Sequence, residues 1–333
     1  MKNYNMDNEV FMPEDYYNRA VDYMEKGKFD LAIKNFTNAI NKKPDFTQAY
    51  VNRSAVFIEV EKFDEALKDA EQAIMLDPNS DAAYVNRGTV YKNKNDLNSA
   101  MADYDKALSL NPKNVLAYMQ RGILYTIKKE WQSAYRNYNN ALSIDRNNAL
   151  VYYNRGTTFR DEGNLMQAIS DYTKSIELAP QDSSSYYNRG CLYRQLNMLN
   201  EAISDYTIAI QINPNIGVFY TNRSIVYQLI GKYQIAINDC TNALQINLQD
   251  IDAYINRSGN YIALGKYDMA LDDCDKVLQI DPKNISAYNN RAAIYENKGE
   301  YDKARENYLI ALDINPNDIR IHNNLKDMER KLK

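Results

Sequence analysis

The chain has 333 residues, a formal charge of −4 and a pI near 5.3, with 45% apolar and 25% charged side chains, the balance of an ordinary folded chain. An acidic balance argues against a binder of nucleic-acid phosphates, which carries a basic face, and no apolar run nears the ~18–20 residues of a membrane span. One histidine and three cysteines leave no mixed Cys/His zinc site.

Residues 1–12 read as a polar tail without the apolar core of a secretory leader. From Tyr16 onward one phrase recurs: Tyr, any residue, Asn, Arg, then a small residue. Its tyrosines are Tyr16, Tyr50, Tyr84, Tyr118, Tyr152, Tyr186, Tyr220, Tyr254 and Tyr288, always 34 residues apart. The repetition accounts for most of the 29 tyrosines. A fixed period of this size is the mark of a repeat architecture, and it overrides the two-domain expectation from length. The repeats are 13–46, 47–80, 81–114, 115–148, 149–182, 183–216, 217–250, 251–284 and 285–318.

Each repeat reads as two helices. In 47–80, Tyr50, Ser54 and Phe57 share one face of a first helix, and Ala66, Ala70, Ala73 and Ile74 share one face of a second. Gly163, Gly231, Gly265 and Gly299 occupy the turn between them in four later repeats, suiting the left-handed end of a helix. The second helix stops at Pro44, Pro78, Pro112, Pro180, Pro214, Pro282 and Pro316. Arg146 and Leu248 stand in that place elsewhere, so a softer boundary is expected there. Small residues (Gly88, Gly122, Gly156, Gly190, Ser224, Ser258 and their equivalents) let the paired helices approach closely against second-helix alanines such as Ala134 and Ala202. Residues 319–333 read as a lone capping helix. His322 falls at the Tyr position there, and Lys326 at the small position leaves no room for a second helix.

Over residues 13–318 this order of aromatic, small residue, aromatic, turn, Ala, aromatic, Ala and Pro resembles the tetratricopeptide repeat family, with Arg where the commonest family pattern has Leu. The resemblance implies an all-α, right-handed superhelix of antiparallel helix hairpins, first helices lining a concave groove.

Three columns are candidates for function. Asn18, Asn52, Asn86, Gln120, Asn154, Asn188, Asn222, Asn256 and Asn290 lie two residues after each Tyr, so they point away from the core and toward the groove. Carboxamides carry donors and acceptors that suit an extended peptide backbone; the competing role is a bridge between neighbouring first helices. In arrays such as that of the O-linked sugar transferases, an Asn ladder at the matching place holds peptide backbone. The second column is Arg19 through Arg291. It shares the buried stripe and needs acids, for which Asp69, Asp103, Asp171, Asp205, Asp239 and Asp273, with Asn35, Asn137 and Asn307, are the expected partners; an anion-binding groove is the rival. The third is the stripe flanking the Asn column, including Met119, Ile123, Tyr153 and Tyr187, which lines the groove or else packs between first helices.

The matching first-helix places hold Tyr17, Val51, Val85 and Met119, then Val21, Ala55, Thr89 and Ile123, so the Lys–Asn pair of a chaperone-tail carboxylate clamp is missing. The sequence has no nucleophile–base pair, phosphate loop or metal spacing. Cys191, Cys240 and Cys274 read as core residues of a reducing, cytoplasmic compartment. The expected function is a non-enzymatic scaffold, without cofactor, gripping an extended peptide or helix of a protein partner through the Asn ladder. The alternatives are an architectural subunit working through its convex face or ends, or a co-chaperone-type adaptor.

Overall fold

The structure, a computed structural model, describes residues 12–331; the expected N-terminal tail, apart from Met12, lies outside them. These residues form nineteen α-helices and no strand. The chain divides into two compact units, Met1–Asp171 and Tyr172–Lys333. The first holds α1 (Pro13–Glu25), α2 (Phe29–Lys42), α3 (Thr47–Glu59), α4 (Phe63–Leu76), α5 (Asp81–Asn93), α6 (Leu97–Leu110), α7 (Val115–Ile127), α8 (Trp131–Ile144) and α9 (Ala149–Glu162). The division falls inside α10 (Leu165–Leu178). The second unit continues with α11 (Ser183–Gln195), α12 (Leu199–Ile212), α13 (Gly217–Leu229), α14 (Tyr233–Ile246), α15 (Ile251–Ala263), α16 (Tyr267–Ile280), α17 (Ile285–Asn297), α18 (Tyr301–Ile314) and α19 (Ile319–Lys331).

Odd- and even-numbered helices pair as hairpins because the turn between them is only two or three residues long. One residue of every such turn has positive φ: Gly27, Glu61, Asn95, Lys129, Gly163, Asn197, Gly231, Gly265 and Gly299. The backbone therefore demands the left-handed conformation in every hairpin, including the four where a side chain must bear its strain.

Arg146 and Leu248 do not lengthen their helices, since α8 and α14 end at Ile144 and Ile246, the same place in the period as their neighbours. The stop there is an Asx turn. Asp145 Oδ1 accepts the Asn147 N–H at 3.1 Å, and Asn247 Oδ1 accepts the Gln249 N–H at 3.0 Å. Proline is one of two devices for the same stop.

Hairpin cores are matched by volume. Gly88, Gly122 and Gly190 lie against the rings of Tyr104, Tyr138 and Tyr206. Where the second helix carries the smaller Cys240, the first helix affords Ser224, and the two are hydrogen-bonded at 3.2 Å. A methyl group added to Gly122 would lie 2.7 Å from the Tyr138 ring, well inside van der Waals contact. At the end of the chain α19 buries Ile321 and Met328 against Ala304, Tyr308 and Ala311. It turns Arg320, His322, Lys326 and Glu329 outward.

Two substitutions of the same kind should have opposite effects. Gly122→Ala overpacks its hairpin and should cost about 1–3 kcal/mol, relieved in part by shrinking Tyr138 to Cys. Gly259→Ala, in mid-helix α15 with its nearest neighbour at 3.4 Å, should stabilise by about 0.5–1 kcal/mol. Urea unfolding midpoints of both variants test the assignment.

Candidate functional site

From Arg53 onward the arginine column is an internal fastening, whereas Arg19 at its start is exposed on α1. Arg53 Nε and Nη2 donate to both carboxylate oxygens of Asp69, at 2.6 and 2.7 Å. The same fork joins Arg87 to Asp103, Arg155 to Asp171, Arg189 to Asp205, Arg223 to Asp239 and Arg257 to Asp273. Each of these guanidinium groups also lies over the tyrosine three residues before it, and Arg223 sits between two rings, 5.9 and 5.8 Å from Tyr220 and Tyr227.

A further set of partners escaped the sequence reading. The remaining guanidinium nitrogen, Nη1, reaches back to the preceding second helix: Arg53 to Thr37, Arg189 to Thr173, Arg223 to Thr207 and Arg257 to Thr241. Where the own-hairpin partner is neutral, the acid stands at this outer place. Arg121 bonds Asn137 and Asp105, and Arg291 bonds Asn307 and Asp275. The signal was present as a column of oxygen-bearing residues sixteen before each arginine.

The two members of a fork respond to burial in opposite senses. Burial alone would depress the Arg257 pKa, but the bond and charge of Asp273 outweigh it and the guanidinium ends above its ordinary value. Burial also lifts the Asp273 carboxyl, more than Arg257 lowers it. The arginine's direction describes the pair at neutral pH. Every bonded N–H holds the guanidinium in its charged form, and that charge favours an ionised partner.

The carboxamides are split between an inner and an outer task. Asn52 Nδ2 donates to Tyr17 Oη at 2.9 Å, and Asn86 Nδ2 to the Val51 carbonyl at 2.8 Å. Asn154 donates to the Leu150 carbonyl and Met119 Sδ, Asn222 to the Val218 carbonyl and Tyr187 Oη, and Asn290 to the Ile255 carbonyl and Ser258 Oγ. The amide N–H groups are thus largely spent on the helix itself and the first helix before it. Gln120 instead accepts from Lys92 at 2.9 Å. Asn18 is exposed on α1, and Asn188 and Asn256 are half-buried.

The oxygens are another matter. Among the described residues the one fully buried, unbonded polar side-chain atom is Asn260 Oδ1. The unbonded oxygens of Asn86 and Asn154 in the first unit, and of Asn222, Asn256 and Asn290 on the successive first helices α13, α15 and α17 of the second, are therefore not sealed in the interior.

The flanking stripe is less open than its spacing suggests. Met119 is only 5% exposed and sits in a core with Tyr138, Leu142 and Val151. The residue after each Tyr is the seat of the next hairpin, as Val85, at 1% exposure, also shows; Met119 is not a groove-lining side chain. Ile123 and Tyr153 are half-buried. Tyr187 packs on Tyr206 and Phe219, with ring centroids 5.9 and 5.1 Å away. In the second unit, α11, α13 and α15 enclose a cleft of about 380 Å³ whose walls include Arg194, Asn222, Ile225, Asp250, Asp252 and Asn256.

Helix hairpins repeated every 34 residues and cross-fastened through one conserved place in each define a helical-repeat protein. The repeats are tetratricopeptide repeats: profiles of that description match residues 17–81, 82–114, 149–182, 183–216 and 285–318, and one described as TPR repeat matches 260–299. Among solved structures the chain is similar to that of the APC/C hetero-tetramer Cut9–Hcn1, with a TM-score of 0.57 and 17% identity over 95% of this chain and 76% of that one. It is also similar to Pseudomonas aeruginosa pilF, with a TM-score of 0.56 and 18% identity over 66% and 97%. YrrB, described as a TPR protein with an unusual peptide-binding site, gives 0.50 and 23% over 57% and 97%. These likenesses establish the fold. A search of curated proteins finds no match. No described helix is long and apolar enough to cross a membrane.

Two measurements check the interior. Asp205→Ala strands the guanidinium of Arg189 and should cost about 3–5 kcal/mol. Arg189→Lys, which cannot form the fork, should recover little in the same unfolding assay. Burial pushes the Cys240 and Cys274 thiols up to about 12, so thiolate is scarce at about pH 8 and neither should react with a thiol reagent. Labelling of the native protein should stop at the half-buried Cys191, and unfolding in guanidinium chloride should release all three.

Proposed function

We propose that the chain is a non-enzymatic scaffold that holds an extended segment of a partner protein along the face formed by its first helices. The observation carrying this reading is the set of carboxamide oxygens of Asn222, Asn256 and Asn290 on the successive first helices α13, α15 and α17, with the N–H groups of Asn222 and Asn290 occupied internally. An extended peptide presents backbone N–H groups that need acceptors, and a preorganised row offers them with little ordering of the scaffold. The peptide-binding site named for YrrB is consistent with such use of this fold. Relative to the expectation from sequence, the carboxamides are receivers of hydrogen bonds and not two-sided clamps.

Asn256 provides a clean test because its side chain makes no hydrogen bond within the described residues. Peptides selected from a displayed random library on the wild-type protein should bind Asn256→Ala about tenfold more weakly, a loss of one acceptor to a desolvated donor. The unfolding midpoint should not change. Equal affinity for Asn256→Ala and for Asn222→Ala would show that the peptide lies elsewhere.

A further inference from the structure

The cleft between α11, α13 and α15 carries a charge arrangement found at no other hairpin. Arg194 is half-buried, and its guanidinium makes no hydrogen bond or ion pair among the described residues. Asp252, in the same cleft, is exposed and equally unbonded. Two opposite charges line one cleft without pairing.

The topology gives the reason. Alternate helices of a hairpin stack run parallel, and bonds between first helices join near-equivalent places, such as Asn222 to Tyr187 and Asn290 to Ile255. Arg194 is at the C-terminal end of α11, whereas Asp250 and Asp252 are at the N-terminal end of α15. Between them α13 contributes Val218 through Ile225 to the cleft, a length of about 10 Å at the rise of an α-helix. Asn222 and Asn256 lie at the middle with open oxygens. Asp250 is partly engaged already, capping the Ala253 N–H at 3.0 Å and accepting from Thr221 Oγ1 at 3.3 Å; Asp252 is wholly available.

Elsewhere the two charged positions do not coincide. In the sequence they read Lys92 with Leu150, Thr126 with Ser184, Arg160 with Val218, and Gln228 with Ser286. Lys92 is occupied by Gln120, and Arg160 bonds Asp161.

Building on the scaffold reading above, we infer that this cleft selects an extended peptide segment bearing one basic and one acidic side chain about three residues apart. The acidic group meets Arg194, the basic group meets Asp252, and the backbone between them donates to Asn222 and Asn256. An acidic tail would meet Asp252 as a repulsion, and a basic one would meet Arg194 in the same way.

A random twelve-residue library displayed on phage, selected in parallel on the full wild-type chain and on Asp252→Lys and Arg194→Glu, tests this directly. Wild-type selections should be enriched about tenfold in base–acid pairs at that spacing. Asp252→Lys should trade the base for a second acid, and Arg194→Glu should trade the acid for a second base. Both residues are outside the hairpin cores, and unchanged melting curves would exclude misfolding. Selected peptides with the same charge pattern on all three proteins, yet weakened by Asn256→Ala, would overturn the charge reading and leave the scaffold reading standing. Failure of any peptide to be selected would overturn both.

Discussion

The guanidinium node is the interaction on which the rest of this structure depends. At Arg53, Arg155, Arg189, Arg223 and Arg257 one side chain ties its own second helix through a carboxylate fork, the preceding second helix through Nη1, and a tyrosine ring through its face. A leucine at that place, as in the commoner family pattern, would contribute burial without direction. The arginine contributes geometry, because a planar fork accepts one carboxylate orientation and a charged group out of water tolerates no empty donor. Register within a hairpin and register between hairpins are set by the same side chain. The price is that a node needs a full set of oxygens, which explains why acid and amide exchange places at Arg121 and Arg291 while the negative charge is kept at both.

Around these nodes the remaining interior is a problem of volume. Glycine on the first helix accompanies tyrosine on the second at Gly88, Gly122 and Gly190 among others, and serine accompanies cysteine at Ser224 and Cys240. The pairs trade bulk across one contact and keep the helices at a common separation. Asn260 breaks the rule of a satisfied interior. It stands where other first helices carry Val226, Leu192 or Ile294, is fully enclosed, and leaves its Oδ1 without a donor. An unmet acceptor of this kind typically costs about 1–3 kcal/mol, and it falls on α15, which also walls the cleft.

Much of this was legible in the residues. The period, the two helices of each repeat, the turn and the Arg–Asp pairing all follow from spacing within one repeat, because 3.6 residues per turn fixes which side chains share a face. What spacing within a repeat cannot give is which neighbour a face meets. Met119 was expected in the groove because it lies beside the Asn column, yet that side is where Val151 of the next hairpin seats. The reach of each arginine to the preceding helix was hidden for the same reason. A comparison of columns would have exposed it. Thr37, Glu71, Asp105, Asn139, Thr173, Thr207, Thr241 and Asp275 all carry oxygen, and the column turns to Leu309 where the following residue in the series is Leu325 instead of arginine. The two missing prolines misled in a milder way, since Asp145 and Asn247 already encode the stop.

The same division of labour shapes the outer face. Had the carboxamides been idle, each would offer a partner both donors and an acceptor, and a peptide could lie in either direction or register. With the N–H groups of Asn154, Asn222 and Asn290 held by backbone, hydroxyl and thioether atoms, these three carboxamides keep only their acceptors for a partner. On the proposed scaffold reading, acceptors alone would recognise any peptide backbone and so supply grip without selectivity. Selectivity then has to come from side chains that differ between repeats. Arg194 and Asp252 are the place where a column otherwise neutral or internally paired acquires two unspent charges of opposite sign. A uniform row for holding and one irregular cleft for choosing is the economy that a repeating chain makes available, because a substitution in one repeat alters the surface there and leaves every guanidinium node intact.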